Sequence, residues 1–432
     1  MNRLLVGLLL ASAWPLGAQA VPDSSQATRV HRAWQRPTSM GLDPFRYVFV
    51  PRWGFVISSG GFGENNTLNA SDLGAVMVLD DADDFRVGDA LDAMSLLPRG
   101  AGAQGVGAGE AAFTLAGPIG PLQIGLSAAG RAYGVFRLDD QAVALLRDGN
   151  GGTQEFSLGQ SGGAALATVE AGAHATYRLK PLGSVDGVRL TLGAGFRMVR
   201  PVFYGAARST VANGGRILIS DDSLVANVGL QLDVTPIEDS DIQDAIASGT
   251  RGSGVAADFL VRAEWPTNGF ALEAMFANLG TVTVERVERS NINVNVASTR
   301  LDVVLDSLEV QTADSNRVRD TIAVDVTLPH MVRFSGSAWA NRILQLDAIV
   351  SLPVTGDFQT PLTVEFGSTW RFIRTIPLRA GLVFGRTQGL GYSAGFGIEG
   401  RNMLFRVSGQ SLGGFMRNAR GAGVQFAFGM FF

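Results

Sequence analysis

The sequence predicts an all-β chain that forms one closed, antiparallel β-barrel across a membrane. Its final residues, 422–432, alternate large apolar residues with small or polar ones up to the chain end, as a strand with one apolar face does. Although 46% of the chain is hydrophobic, no stretch approaches the roughly 18 to 20 continuous apolar residues of a membrane helix. Such a chain can cross a bilayer only as a closed sheet, because every backbone group must be paired there. A soluble, secreted sandwich or propeller is the alternative.

The first twenty residues have the pattern of a cleaved export signal. Arg3 supplies the positive start, residues 4–10 form a short apolar core, and 18–20 (Ala-Gln-Ala) match a small-x-small cleavage site. About ten apolar residues, interrupted by Pro15, are too few for a membrane anchor. We therefore divide the chain into a signal peptide over 1–20, an N-terminal periplasmic or plug segment over 21–45, and the barrel over 46–432.

Period-two alternation identifies fourteen runs of strand length. An even number of strands places both chain ends on the same side of the membrane. The runs cover 46–58, 107–117, 121–136, 164–180, 187–201, 253–264, 270–280, 329–339, 342–352, 361–372, 375–385, 391–399, 402–411 and 422–432.

The connections between these runs alternate in length, which supports the strand assignment. Every second connection is short, on the order of two to six residues, as the periplasmic turns of barrels are. Several of the others span about 25 to 50 residues, as extracellular loops do. Two pairs of segments inside these loops, 217–219 with 224–234 and 281–287 with 321–326, also alternate. They predict either hairpins above the membrane or an extra strand pair, which would make the barrel sixteen-stranded.

Short helices are predicted in two of the long loops. One is capped by Asp139 or Asp140 and stops at Gly149, and a second covers 237–247. A loop helix with one apolar face needs something to cover that face, either the barrel rim or a ligand. The residues expected to form an entry for an apolar solute are Ala142, Leu145 and Leu146.

Charged residues within the strands are expected to face the lumen, because alternate residues of a barrel strand face lumen and lipid. A lumen with both signs of charge can pair internally. One interpretation is a structural network of ion pairs and hydrogen bonds that fills a moderately narrow barrel; the other is that some of these residues line a solute path. The candidate lumen-facing residues are Arg131, Glu170, His174, Arg178, Arg189, Arg197, Asp258, Arg262, Glu264, Arg333, Asp347, Arg379 and Arg406.

The chain end carries a first resemblance. Bacterial outer-membrane barrels close on a C-terminal strand that ends in Phe, and the last strand here resembles theirs, with Phe428 and the terminal Phe432 on its apolar face. The resemblance implies a location in the bacterial outer membrane, surrounded by its lipid. It also implies that the barrel-assembly machinery recognises this strand, with Phe428 and Phe432 as the assembly signal.

A second resemblance concerns segments of the predicted barrel strands and loops. The segments 51–66, 130–150 and 277–280 resemble a family of exported β-barrels that carry a domain of unknown function. More distantly, Asn278-Leu279-Gly280 and the later run Leu-Pro-His-Met-Val-Arg-Phe over 328–334 are similar to the long-chain fatty-acid transporter superfamily, whose barrels have fourteen strands. This similarity implies passive transport of a hydrophobic solute. The N-terminal hatch of that superfamily has a vague counterpart in 21–44.

Composition and motifs favour neither catalysis nor nucleic-acid binding. The formal charge is −4 and cysteine is absent, so the chain has no basic footprint and no disulfide. The three histidines, His31, His174 and His330, are far apart in sequence. His174 is expected to face inward near Glu170 and Thr176, as a member of a satisfied polar pair rather than as a base. The acidic run 80–84 is interpreted as a solvated loop rather than a cation site. We predict no enzyme activity, cofactor, metal site or nucleic-acid partner.

The predicted function is that of a porin-like barrel for passive passage of a small hydrophobic solute. The alternative is a non-transporting envelope component, a scaffold or secretion-system partner whose long loops or periplasmic face bind another protein. A continuous apolar cavity would favour the first function. A sealed lumen with an ordered apolar loop surface would favour the second.

Overall fold

In the computed structural model the chain forms a closed antiparallel β-barrel with a small sheet above one end. No helix of the described residues is long and apolar enough to cross a membrane. The structure describes residues 43–48, 50, 52–67, 69, 101–148, 154–157, 159, 161–180, 187–211, 215–219, 224–236, 251–298, 320–354, 357–358, 362–385, 389–415 and 418–432.

Eighteen strands and one helix lie within these residues. In chain order they are β1 (Gly54–Asn65), β2 (Ala103–Ile119), β3 (Leu122–Leu138), α1 (Asp140–Asp148), β4 (Gln154–Ser157), β5 (Gly162–Arg178), β6 (Arg189–Ser209), β7 (Arg216–Ile219), β8 (Leu224–Val234), β9 (Gly252–Trp265), β10 (Phe270–Ser298), β11 (Asp320–Thr327), β12 (Met331–Trp339), β13 (Leu344–Pro353), β14 (Thr363–Ile373), β15 (Ile376–Gly385), β16 (Gly389–Glu399), β17 (Met403–Leu412) and β18 (Gly421–Phe431).

The barrel wall has fourteen strands, as the sequence predicted. β11 and β12 form one interrupted wall strand that pairs with β10, while β4, β7 and β8 do not belong to the wall. The last strand closes the wall on the first, with Gly54 opposite Phe431 and Glu64 opposite Gly421. Closure leaves neither of these two strands with an unpaired edge, which is the condition for crossing a bilayer.

The sixteen-stranded alternative is wrong. Of the two ambiguous segment pairs, 217–219 with 224–234 lies above the wall in β7 and β8, whereas 281–287 with 321–326 lengthens the wall strands β10 and β11 without adding a strand. β10 continues past its pairing with β9 and pairs with β8 from Glu288 to Ser298. β7 pairs with β8, and β4 pairs with β7. We call β4, β7, β8 and this upper part of β10 the upper sheet. Alternation alone could not separate these strands from the wall, because both have the same period.

The prediction that the first strand begins at Arg46 is wrong. β1 begins at Gly54, and residues 43–48 form a compact turn in which Oδ1 of Asp43 accepts a hydrogen bond of 3.1 Å from the backbone N of Phe45. Both Phe45 and Val48 are fully buried inside the barrel. A buried turn and a half-buried strand can present the same short apolar pattern, so the sequence did not separate them. We call residues 43–48 the N-terminal turn.

The wall presents two different faces. The outward face carries large exposed apolar side chains such as Phe113, Leu126 and Phe259, whereas the inward face carries buried charged and polar ones. The final strand shows the same division, since Val424 is 67% exposed while Gln425 is 6% exposed. A polar interior inside an apolar outer band is the arrangement of a barrel that spans a bilayer.

The two ends of the barrel differ in the length of their connections. At one end, which we call the short-turn end, brief turns join β2 to β3, β9 to β10, β12 to β13, β14 to β15 and β16 to β17. The upper sheet and α1 lie at the opposite end, the long-loop end, where the predicted helix following Asp139 is confirmed. The signal peptide, the helix over 237–247 and the acidic run 80–84 lie outside the described residues and stay predictions.

Candidate functional site: a layered lumen

A continuous chain of buried ion pairs crosses five neighbouring strands of the wall. Nε of Arg131 (β3) lies 2.9 Å from Oε2 of Glu110 (β2), and Arg131 also pairs with Glu170 (β5). Nη1 of Arg197 (β6) lies 2.5 Å from Oε2 of Glu170, and its Nε and Nη2 each donate to Asp258 (β9) at 2.8 Å. Arg46 of the N-terminal turn pairs with Glu110 at the other end. The charge ladder is this set: Arg46, Glu110, Arg131, Glu170, Arg197 and Asp258.

The charge ladder is electrically balanced and enclosed. Its three arginines and three carboxylates have side chains no more than 10% exposed. Burying charges is costly, and here the cost is offset because each charge touches an opposite one and several contacts are bidentate or shared. Gly172 of β5 makes room for this arrangement, since a Cβ added there would lie 2.5 Å from Cγ of Arg197. Losing one member would leave its neighbours buried and under-compensated.

The ladder ends at an irregularity in β10. The pairing of β9 with β10 shifts register between Phe276 and Leu279, and Asn278 there adopts a left-handed conformation with φ of 61°. Its backbone N donates to Oδ1 of Asp258 at 2.9 Å, its Nδ2 donates to the carbonyl of Pro329 at 3.2 Å, and its Oδ1 accepts from Arg197. The ladder therefore fixes the bulge of the wall as well as neutralising its own charges.

The N-terminal turn lies on the short-turn side of the ladder. Asp43 pairs with Arg333 of β12 at 3.1 Å, while Arg46 reaches β2 across the lumen. The ring of Phe45 meets the imidazole of His174 edge-on, with centroids 5.5 Å apart, and Nε2 of His174 lies 3.3 Å from Oδ2 of Asp258. Phe45 and Val48 pack in one apolar cluster whose other members are Leu260, Met275, Ala277 and Met331.

An apolar layer lies on the long-loop side of the ladder. Tyr133 and Val199 come two residues after Arg131 and Arg197 on strands that run toward the long-loop end, and all four side chains are buried in the lumen. The layer is one contiguous cluster of side chains from the wall strands and one loop, with no member from β13 to β16 or from β18. The apolar layer consists of Phe62, Ala108, Tyr133, Leu166, Val199, Tyr204, Ala256, Val282, Val284, Val287, Val326, Leu328, Phe358 and Leu412.

One member of the apolar layer comes from a loop rather than from the wall. Phe358, between β13 and β14, is 1% exposed, and its ring centroid lies 6.2 Å from that of Tyr133. Its neighbour Asp357 is fixed to β11, where the backbone N of Thr327 donates to Oδ2 of Asp357 at 2.8 Å. The backbone N of Asp357 donates in return to the carbonyl of Thr327 at 3.3 Å. This loop therefore folds over the long-loop mouth of the lumen.

The structure encloses most of the candidate lumen-facing residues but divides them into separate groups. Beyond the ladder, Arg379 pairs with Asp347 at 2.6 Å, and Arg262 pairs with Glu264 at 2.7 Å. Arg406 pairs with Glu399 and is partly exposed. Arg189 is half-buried. Arg178 is exposed at the short-turn end, because it is the last residue of β5 and lies beyond the enclosed part of the lumen. Those that the structure buries are Arg131, Glu170, His174, Arg197, Asp258, Arg262, Arg333, Asp347 and Arg379.

The loop-helix and chain-end candidates have mixed surroundings. In α1, Ala142 is buried and Leu145 half-buried, while the side chain of Leu146 lies outside the described part. Val143 of the same helix is fully buried. At the chain end Phe428 is half-buried, and Phe432 is 73% exposed just past β18, where its backbone N donates to the carbonyl of Trp53 at 2.9 Å.

Three polar residues in or next to the charge ladder were missed by reasoning from the sequence. Glu110 could have been found, because it is the one charged residue in the run 107–117 and shares the inward parity of Ala108. Arg46 was missed because it was assigned to a strand. The left-handed conformation of Asn278 has no reliable sequence signal, since asparagine adopts it only in some contexts.

Among known proteins, similarity to this chain is found only at the level of solved structures. No family model and no curated protein matches the chain. Among solved structures, the toluene transporter TbuX of Ralstonia pickettii has 10% identity and a TM-score of 0.45, covering 92% of this chain and 94% of that one. The toluene transporter TodX of P. putida has 7% identity and a TM-score of 0.45, covering 92% and 95%. The translocator domain of the autotransporter NalP from Neisseria meningitidis has 8% identity and a TM-score of 0.32, covering 89% and 90%.

Proposed function

We propose that this barrel is a passive channel of the bacterial outer membrane for a small hydrophobic solute. The observation that carries the proposal is the apolar layer, a contiguous set of buried apolar side chains in the long-loop half of the lumen. Lumens that conduct water and ions are lined by polar side chains, whereas the buried side chains of this half are apolar and would favour contact with an apolar molecule. The solute would enter from the long-loop end, past α1 with Ala142, Leu145 and Leu146.

The charge ladder supports a hydrophobic rather than an ionic cargo. Its six charges neutralise one another, so they leave no net field to attract an ion. An apolar solute cannot cross such a layer without stripping buried charges of their partners, which is costly. The ladder and the N-terminal turn therefore restrict the direct axial route, and the apolar layer holds the solute above them.

The proposal includes an orientation, with the long-loop end outside the cell and the short-turn end in the periplasm. Barrels of the outer membrane have this asymmetry of loop lengths. Single cysteines at Glu155 and Asp320 should then react with an impermeant reagent on intact cells, while one at Asn268 should not. The reverse pattern would overturn the orientation.

Uptake by intact cells tests the channel function. Leu166→Gln places a polar amide in the apolar layer and should lower the initial uptake of a small hydrocarbon about tenfold, because an apolar solute would then meet a polar side chain that has lost its water. Val225→Gln is the matched control, since Val225 is exposed on the upper sheet and is not in the layer. Both variants must reach the membrane in wild-type amounts. Equal uptake by all three proteins would contradict the proposal.

A second function is favoured by the closed middle of the lumen. The N-terminal turn bridges opposite walls through Asp43 and Arg46, and the ladder lies directly above it. A barrel closed in this way can act as a scaffold whose loops bind another envelope protein. Co-purification of one envelope protein at fixed stoichiometry, together with wild-type uptake by the Leu166→Gln variant, would replace the channel by the scaffold.

A further inference from the structure

The short-turn end carries a ring of exposed basic side chains. Three consecutive hairpin turns around the rim each contribute one arginine, Arg342 between β12 and β13, Arg374 between β14 and β15, and Arg401 between β16 and β17. Arg178, the last residue of β5, and Lys180, two residues further on, are exposed on the same rim. We call these five residues the basic rim.

No acidic side chain is exposed in the described part of this rim. Glu264 and Glu399, the acids nearest to it, are half-buried and paired with Arg262 and with Arg371 and Arg406. The long-loop end differs, because exposed acids such as Asp140, Glu155 and Asp320 are interspersed there with arginines. The basic rim is therefore a local positive surface on a chain whose formal charge is −4.

Each of the four arginines of the basic rim lies within two residues of a large exposed apolar side chain. Exposed Tyr177 precedes Arg178, exposed Ile343 follows Arg342, and exposed Ile373 precedes Arg374. Met403, two residues after Arg401, is also exposed. A surface that recognises a soluble acidic protein does not need exposed apolar side chains next to its arginines. At the edge of a bilayer, the arginine meets the headgroup while its neighbour meets the hydrocarbon.

The tryptophans mark the same level of the barrel. All four in the described residues lie at the short-turn end: Trp53 precedes β1, Trp265 and Trp339 end β9 and β12, and Trp370 is near the end of β14. Tryptophan concentrates at membrane interfaces because its ring is apolar and its N–H is polar. The basic rim therefore lies at the depth of the lipid headgroups.

We propose that the basic rim binds the phosphates of anionic phospholipids in the leaflet at the short-turn end. Arginine suits this ligand because its planar guanidinium donates several hydrogen bonds to phosphate oxygens. Arg342, Arg374 and Arg401 form no ion pair with a described acid that would compete with the lipid. Lipid binding at the basic rim does not depend on whether the lumen carries a solute.

The test uses the purified full-length mature protein in vesicles of phosphatidylcholine with brominated phosphatidylglycerol or brominated phosphatidylcholine. Bromine quenches the fluorescence of nearby tryptophans. The ratio of quenching by brominated phosphatidylglycerol to quenching by brominated phosphatidylcholine therefore gives the preference for the anionic lipid. We expect a preference of about two- to fivefold at low salt, consistent with a few arginines near an anionic surface. It should fall to about one in the triple variant R342Q/R374Q/R401Q, and high salt should weaken it.

Two control variants make the outcome specific. R342K/R374K/R401K keeps the charges and should retain most of the preference, and R137Q/R216Q/R420Q removes three arginines at the long-loop end and should leave it unchanged. Heat-modifiable gel mobility verifies folding in every case. The proposal is overturned if the wild type shows no preference or if R342Q/R374Q/R401Q keeps it. Binding of soluble polyglutamate that this variant abolishes, with an unchanged lipid preference, would assign the rim to an acidic protein instead.

Discussion

The two halves of the barrel wall solve the problem of inward-facing charge differently. From β2 to β10 five of the buried charges belong to one ladder that crosses strand after strand and ends at the bulge of Asn278, while Arg262 forms a separate group with Glu264 and Glu273. From β13 to β17 the arginines form separate small groups, Arg379 with Asp347 and Arg371 with Arg406 around Glu399. The strands of the second half are short, and their register shift lies next to the turn between β14 and β15. The first half carries shifts between β5 and β6 and between β9 and β10, together with the upper sheet. A continuous network therefore accompanies the irregular half.

This difference predicts that the two halves respond unequally to loss of one charge, and Arg197→Met should have the largest effect. It leaves Asp258 without its bidentate partner and Glu170 with one arginine instead of two, so the free energy of unfolding should fall by about 3–5 kcal/mol. Arg406→Met, at a partly exposed pair, should cost about 0–1 kcal/mol. Urea unfolding in detergent micelles measures both. Equal losses would remove the distinction between the halves.

Charge-neutral double variants sharpen the comparison. R379M/D347N removes a pair that lies apart from the ladder and should recover most of the stability lost in R379M, because the buried carboxylate that lost its guanidinium is replaced by a neutral amide. R197M/D258N should recover less, since Glu170 and Asn278 still lack the guanidinium that bound them. Recovery to the same extent in both would mean that the ladder behaves as independent pairs.

The seam between the halves is β18 with β1, and deleting Phe431 and Phe432 should weaken it. The deletion removes the pairing of Phe431 with Gly54 and the hydrogen bond from Phe432 to Trp53. The amount of heat-modifiable barrel in the outer membrane should fall severalfold, while barrels that do fold should unfold at nearly the wild-type urea concentration. An unchanged amount of folded barrel would contradict the claim that assembly depends on closure at this strand.

The upper sheet adds a small, pH-dependent effect to the irregular half. Burial raises the pKa of Asp233, but hydrogen bonds from Arg289 and Gln231 outweigh it and hold this pKa below its usual value. A carboxyl whose pKa is lower in the folded state stabilises that state above its unfolded pKa, and this contribution is lost as the pH falls through the folded pKa. Protection of the β8 and β10 amides from hydrogen exchange should therefore be constant at neutral pH and decline below about pH 4. In Asp233→Asn this protection should be low at every pH. If protection in that variant declined in acid as much as in the wild type, Asp233 would not be the group responsible for the pH dependence.

The parts of the fold that follow period-two alternation were predictable, and the parts set by distant contacts were not. The wall strand count and the inward parity of Arg131, Glu170 and Asp258 follow from side-chain alternation, which any lipid-facing strand must obey. The length of β10 was underestimated, because its upper part pairs with β8 above the membrane rather than within the wall. The N-terminal turn escaped prediction because Phe45 and Val48 are buried by residues far away in sequence.

Within the site, alternation gave the direction of each side chain but not its partner. That Arg197 joins Glu170 to Asp258 depends on the relative register of β5, β6 and β9, which one sequence does not specify. The apolar layer was likewise hidden, since its members are spread over most of the strands and one, Phe358, belongs to a loop. Its position above the ladder emerged only from the assembled barrel.

The most direct test of the channel account is equilibrium binding of a small, neutral, fluorescent apolar probe to the purified barrel. The account predicts saturable binding to one class of site, about tenfold weaker in Leu166→Gln and unchanged in Val225→Gln, because the first changes the apolar layer and the second does not. Non-saturable binding that tracks only the amount of detergent, or the same affinity in Leu166→Gln as in the wild type, would contradict it.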